Sequence, residues 1–359
     1  MADHKLRFEP FRPELESRPD WWQVRPQEII NVCRSVKRGK AEIIAETPAG
    51  FPVYAVFYGD FSEPAPQTNW SAGSSSTTYT SYDSREAGSP QTFLFLAGIH
   101  GAEAESVAAA VNLIQMLETG KDFRGKTDEK LLDLISRYRF IVIPCANMDG
   151  RAVSPDHLRK ADKQTFLVAS QGTWLNGDVI GWRGSKEFFP LPLEKVSFPG
   201  GYPNSAGFNI MHDACPGNIR TAEARGILQL CERWRVDAVL NGHSCEYPPC
   251  FIPPTRLLYP AHQERAAQIV TEYAQRLYER KFRPEPPEAP AVPRGATFNL
   301  NNLIMLASGA LPITLECCVS GDYTFEELME PNYVALEVFL ENGLKTPLCD
   351  RSTLFQGNI

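Results

Sequence analysis

The 359-residue sequence is short of features that mark several protein classes. No stretch reaches the roughly 18 consecutive apolar residues that a membrane-spanning helix needs. Positive charge is not in excess: 36 Lys and Arg stand against 43 Asp and Glu, for a formal net charge of −7. With no long basic run either, a nucleic-acid binder is disfavoured, and so is attraction to anionic membranes. No apolar segment follows the N-terminal Met1-Ala2-Asp3-His4-Lys5, so no secretory signal is expected. The nine cysteines are an odd number without disulfide-like spacing. Cys145, Cys231, Cys317 and Cys318 sit inside apolar runs and read as buried thiols of a reducing compartment. A cytoplasmic protein is expected. No internal repeat is found.

What is present is an ordinary globular composition, 43% hydrophobic and 22% charged. Residues 41–58 read as two strands around a Pro-Ala-Gly turn. Residues 61–91, rich in Ser, Thr, Gly and Pro, read as a polar loop insertion. An alternation of strands and helices follows. The apolar run 92–99 has strand length and suits a central strand covered on both faces. Residues 103–118 place Val107, Val111, Ile114 and Leu117 at helical spacing. A shorter helix is predicted at 128–137 and a buried strand at 139–145. Residues 151–217 read as an irregular insertion, a length that is usually functional. Further on, a helix is predicted at 219–234, a strand at 236–241 and a helix at 261–280. A Pro-rich extended stretch at 284–293 precedes a strand at 311–318. The last element is a helical region near 324–344, which Pro331 is expected to break or start. The pattern predicts one α/β domain over 1–359: a mostly parallel twisted sheet with helices on both faces. In such sheets ligands bind beyond the carboxyl ends of the strands.

Those ends carry the chemistry. The first predicted central strand leads into Gly98-Ile99-His100-Gly101-Ala102-Glu103. The strand at 236–241 leads into Gly242-His243-Ser244. Two imidazoles and one carboxylate, with a fourth position open for water, make a hydrolytic set for one zinc ion. His-x-x-Glu alone is a weak signal. On its own His100 could cap or fill the core, and Glu103 could be a first-turn carboxylate favoured by the helix dipole. Following a buried strand, and joined by a second strand-end histidine, the pair becomes informative. Glu316 lies in the apolar strand among Ile313, Leu315, Cys317 and Cys318. Such a carboxylate is costly unless paired or functional. It reads either as a rim residue or as a general base with a raised pKa. The aromatics Trp174, Trp182, Phe188, Phe189, Phe198, Tyr202 and Phe208 suit a packed insertion or a wall over the cleft.

These residues, in this order, resemble the carboxypeptidase A-like zinc peptidases. His100 to Glu103 is similar to that family's His-x-x-Glu. Asn147-Met148-Asp149-Gly150 is similar to its Asn-Pro-Asp-Gly turn, and Ala222-Glu223-Ala224-Arg225 to its Pro-Glu-Thr-Arg. His243-Ser244 resembles its third-ligand His-Ser. Residues 304–309 and Glu316 resemble its late loop and catalytic glutamate. The resemblance runs from about residue 92 to about 318. It implies the zinc carboxypeptidase (phosphorylase/hydrolase-like) architecture, with zinc on His100, Glu103 and His243. It also implies Glu316 as the group that activates water and carries a proton to the leaving amine, with an arginine steadying the oxyanion. Arg151 and Arg159 are favoured for that role over Arg183.

The sequence also departs from the family pattern. The segment Gly207-Phe208-Asn209-Ile210-Met211-His212 corresponds to Gly-Val-Asp-x-Asn-Arg. Asn209 then replaces the Asp that orients a zinc histidine. An amide can still accept that hydrogen bond, without charge. Met211 and His212 replace the Asn-Arg pair that clamps a terminal carboxylate, so the bidentate fork is lost. Met305 stands where the family has a mobile tyrosine. His212 reads equally as a substrate contact or as a structural histidine. The expected activity is therefore cleavage of an amide bond in a small peptide or, alternatively, in an N-acyl amino acid, as in the related succinylglutamate desuccinylase/aspartoacylase-like branch. A non-catalytic ligand-binding protein on the same fold is the third alternative.

Overall fold

The computed structural model describes residues 5–62, 69, 71–72, 89–245, 248–252, 260–282, 298–319 and 322–349. Most of the polar loop at 61–91 and all of the Pro-rich stretch at 284–293 lie outside these residues. Helix α1 (Pro26–Ser35) begins with a proline in its first turn, where the missing N–H costs nothing. The Glu28 carboxylate there accepts from the Val24 and Arg25 amides at 3.0 and 2.9 Å. Strands β1 (Lys40–Glu46) and β2 (Pro52–Tyr58) form the expected hairpin. Its turn is closed by Gly50, whose φ of 89° a side chain would resist.

The α/β pattern then unfolds as the apolar runs require. β3 (Thr92–Ala97) is buried along its whole length. It is followed by α2 (Ala104–Thr119), α3 (Glu129–Ser136) and β4 (Arg139–Ile143). The stretch read as irregular is more ordered than its composition suggests. It holds α4 (Met148–Val153), α5 (Lys163–Gln171) and α6 (Gly181–Glu187), with β5 (Thr173–Trp174) and β6 (Val196–Phe198) in a small antiparallel pair. Capping explains part of the difference, since Asp162 accepts from the Thr165 amide at 2.7 Å and starts α5.

After α7 (Ala222–Arg233) comes β7 (Ala238–Cys245), which is longer than predicted. Pairing with the last strand carries it through His243, Ser244 and Cys245. Then follow β8 (Cys250–Ile252), α8 (Pro260–Glu279), α9 (Leu300–Ser308), β9 (Leu311–Cys318) and α10 (Phe325–Lys345). Two local expectations are corrected. The segment read as a late loop at 304–309 belongs to helix α9. Asn299 caps its start, Gly309 with φ 75° ends it, and Leu300 and Ile304 pack on the sheet. Pro331 neither breaks nor starts a helix: α10 runs through it for 21 residues. An interior proline costs about 3 kcal/mol or more. Burial of Leu328, Met329, Val334, Leu336 and Phe339 offsets that, at about 1.5–3 kcal/mol per large apolar side chain.

The main sheet has the order β1-β2-β4-β3-β7-β9-β8. Its centre, β4-β3-β7-β9, is parallel, and β2, β1 and β8 join antiparallel at the sides. The period-two alternation of β3 divides the core. Phe93, Phe95 and Ala97 face α1, α2, α8 and α10, while Leu94 and Leu96 face α7 and α9. From β3 the chain crosses to β4 on one side; from β7 it proceeds to β8 and β9 on the other. The order thus reverses between β3 and β7, and the carboxyl ends at such a reversal are where α/β sheets place their ligands. No helix among the described residues is long and apolar enough to cross a membrane.

Candidate metal centre and cleft

His100 lies in the turn between β3 and α2, Glu103 is the N-cap of α2, and His243 sits near the carboxyl end of β7. Their side chains are almost fully buried, and their potential ligand atoms all lie within 4.8 Å of one another. His100 Nδ1 is 2.8 Å from Glu103 Oε1. His243 Nδ1 is 3.0 Å from Glu103 Oε2 and 3.2 Å from His100 Nδ1.

Asn209 decides what these contacts mean. Its Oδ1 accepts from the Met211 amide at 3.1 Å, which identifies the atom as the oxygen, and faces His100 Nε2 at 3.2 Å. The proton of His100 therefore belongs on Nε2. Its Nδ1 is left with a lone pair aimed at a carboxylate and a second imidazole. Burial lowers the His100 pKa, against the opposing pull of Glu103, and so favours this neutral form. Burial would also raise Glu103, but the two imidazoles hold its carboxyl below the usual range. For His243, burial is outweighed by the charges of Glu103 and Glu316, and its pKa is raised. Three ligand-type atoms thus converge in a dry site, where the Glu103 charge has to be balanced by a protonated His243 or by a metal ion in its place. Zinc about 2.0–2.2 Å from each in tetrahedral array would space them by roughly 3.4 Å. The observed separations, slightly tighter, fit such an ion, and the donor chemistry is right for it.

Glu316 stands on β9 directly beside His243 in the parallel register, and it is only partly buried. The sheet itself thus brings the predicted base to the edge of the predicted metal site.

The insertion supplies one wall. The Tyr202 ring lies 4.3 Å from that of His100, and Trp182 packs at 5.0 Å from Tyr202 and 6.3 Å from His100. His212 meets Trp182 at 6.1 Å. The other aromatics pack among themselves, Trp174 on Phe188 and Phe189 on Phe208, and Phe198 lies on Phe11. Met211 is buried, and its sulfur accepts from Asn241 Nδ2 at 3.5 Å. His212 is pushed down to about 3 by burial and by the positive charge of Lys186. Met305 is buried within α9.

The arginines are engaged elsewhere. Arg151 is wholly buried on α4 and donates to the Pro155 carbonyl, with Nη1 left without a partner. Arg159 is held by Glu16 and the Tyr323 carbonyl and lies over Phe325. Arg183 pairs with Glu187 on the exposed side of α6.

Two residues in the quoted motifs have duties that the sequence reading missed. A Cβ on Gly101 would lie 2.0 Å from the Gly150 carbonyl carbon and 2.1 Å from the Arg151 nitrogen. Only glycine lets the metal-binding turn press against the Asn147–Gly150 turn. Asn147 in turn donates to the Gly201 and Tyr202 carbonyls at 3.3 and 3.0 Å, fixing Tyr202 beside His100. A Gly next to a ligand His and an Asn two residues before an Asp were the available signals.

The chain is similar to known proteins in sequence and in fold. The zinc carboxypeptidase family profile matches residues 66–246, about half of the chain. No curated protein matches. Among solved structures, a metallo-carboxypeptidase from Burkholderia cenocepacia is similar at 13% identity and a TM-score of 0.56, covering 89% of this chain and 69% of that one. Bovine thrombin-activatable fibrinolysis inhibitor, solved with tick carboxypeptidase inhibitor, aligns at 15% identity and 0.54, covering 90% and 99%. A Pseudomonas aeruginosa metallo-carboxypeptidase, bound to (2-guanidinoethylmercapto)succinic acid, aligns at 13% and 0.54, covering 90% and 68%. At these identities the structural likeness extends to the fold alone.

Proposed function

The chain belongs to the zinc carboxypeptidase family, and we propose that it is a zinc-dependent hydrolase of an amide bond in a small peptide. The observation that carries this reading is the convergence of three buried ligand-type atoms, on His100, Glu103 and His243, with Asn209 fixing the His100 tautomer. One zinc ion held there would polarise a scissile carbonyl and acidify water. Asn209 orients His100 by its hydrogen bond, and Tyr202 and Trp182 keep the imidazole dry on one side. Glu316, in register with His243, takes a proton from water as it attacks and returns it to the leaving amine. Of the two favoured arginines, Arg151 suits the oxyanion better, because its Nη1 has no hydrogen-bond partner while Arg159 is bound to Glu16. We place the reaction in a reducing, cytoplasmic setting, a reading supported by the buried thiols Cys33, Cys145, Cys231 and Cys317.

A second reading, an N-acyl amino acid deacylase, is favoured by the loss of the arginine clamp at Met211 and His212. The test is hydrolysis by zinc-loaded protein of a mixed panel of peptides and N-acyl amino acids, followed by mass spectrometry, with Glu316→Gln in parallel. Release of C-terminal residues, lost in the variant, supports the peptidase. Cleavage of acyl groups alone supports the deacylase. No turnover of any panel member counts against both and favours a ligand-binding role.

A further inference from the structure

The cleft has a cation that none of the quoted motifs supplies. Met211 is buried in the apolar core, and burial keeps the His212 imidazole neutral, so neither residue presents positive charge. The nearby arginines are committed, Arg183 to Glu187 and Arg220 to the Phe189 carbonyl. Lys186, on α6, is different. Its Nζ sits 4.1 Å above the ring of Trp182, the ring that packs against Tyr202, His212 and the metal ligand His100. It is solvent-accessible, and among the described residues no carboxylate is paired with it. Its charge is felt at His212.

A cation held over an aromatic face keeps its hydrogen-bonding protons for another acceptor. The insertion therefore holds a solvent-accessible ammonium one aromatic ring away from the metal-ligand candidate His100. We propose that Lys186 receives the free carboxylate of the substrate and thereby selects amides that carry an anionic end. Trp182 acts as a positioning residue that fixes the ammonium at the cleft. The inference rests on the reading of the site as an amide hydrolase and applies to the peptide and acyl-amino acid readings alike, since both substrates end in a carboxylate. A lysine binds that group as a point charge, without the planar register of arginine, so it tolerates varied geometry around the carboxylate.

The test is calorimetric and needs no turnover. Zinc-loaded full-length protein is titrated with 3-phenylpropanoate and with the neutral 3-phenylpropan-1-ol, in the wild type and in Lys186→Met, Lys186→Arg and Arg183→Met. The wild type should prefer the acid by about tenfold or more, the scale of one hydrogen bond to a charged group. Lys186→Met should abolish most of that preference, while Lys186→Arg and Arg183→Met retain it. Any carboxylate affinity for the metal is common to all four proteins and cancels in the comparison. A wild type without preference, or a preference intact in Lys186→Met, overturns the inference. If the preference falls in Lys186→Met but the wild type cleaves no amide in the panel, the hydrolase reading fails and anion recognition by Lys186 stands. If amides are cleaved and Lys186→Met binds both probes as the wild type does, the inference fails alone. Melting curves confirm that each variant is folded.

Discussion

Asn209 offers a perturbation whose sign can be set in either direction. Its Oδ1 accepts from His100 Nε2 at 3.2 Å and from the Met211 amide at 3.1 Å, and no charge is involved. Asn209→Leu removes the acceptor at nearly constant volume. His100 is then free to place its proton on Nδ1, the atom required for the metal. Losing such an outer partner typically weakens metal binding by about 10–100-fold, or roughly 1.4–2.7 kcal/mol. Asn209→Asp keeps the acceptor and the turn it caps, and adds a charge that makes the imidazole more basic. It should tighten binding several-fold. The assay is competition for zinc with a chromophoric chelator at fixed pH, with melting curves as the control for folding. Equal affinity in all three proteins would refute the argument, and so would weakening in both variants. Either result would mean that Asn209 does not set the His100 tautomer.

Three further outcomes follow from the same structure. Glu316→Gln should bind zinc as the wild type does while amide hydrolysis falls by about 10²–10⁴-fold, the usual contribution of a general base; steady-state kinetics and metal analysis of one sample check both. Gly101→Ala should cost about 3 kcal/mol or more of stability in urea unfolding, because its Cβ would meet the Gly150 and Arg151 backbone and not a movable side chain. Glu223 has its pKa raised to about 7 by burial. Because the folded state holds this proton above the ordinary value of 4.5, stability should fall as pH rises from about 4.5 through 7. The full effect is on the order of 3 kcal/mol. Thermal melts at pH 5 and 8 should show that slope in the wild type and a reduced one in Glu223→Gln.

The core of the fold could be read from local pattern. β3 is apolar from Phe93 to Ala97, β9 is apolar except at Thr314 and Glu316, and α2 shows helical spacing, so their identity needs no tertiary context. His100, Glu103 and His243 were legible because strand ends are where an α/β sheet gathers polar side chains. What escaped depended on contacts distant in sequence. The extension of β7 through His243 comes from pairing with β9, and the passage of α10 through Pro331 comes from packing on the sheet. The late segment reads as a loop by resemblance, yet its Asn299 and Gly309 caps and its sheet-facing Leu300 and Ile304 make it α9. Arg151 and Arg159 could be named as cations from sequence, but not that Pro155, Glu16 and Tyr323 hold them. Which of the aromatics would reach His100 was equally hidden, since Tyr202 gets there through the hydrogen bonds of Asn147.

The most direct test is a crystal structure of zinc-loaded protein with anomalous diffraction measured on both sides of the zinc absorption edge. A single peak is predicted about 2.0–2.2 Å from His100 Nδ1, a Glu103 oxygen and His243 Nδ1, with a fourth position taken by solvent. No peak between these residues, or one held by other side chains, would contradict the account.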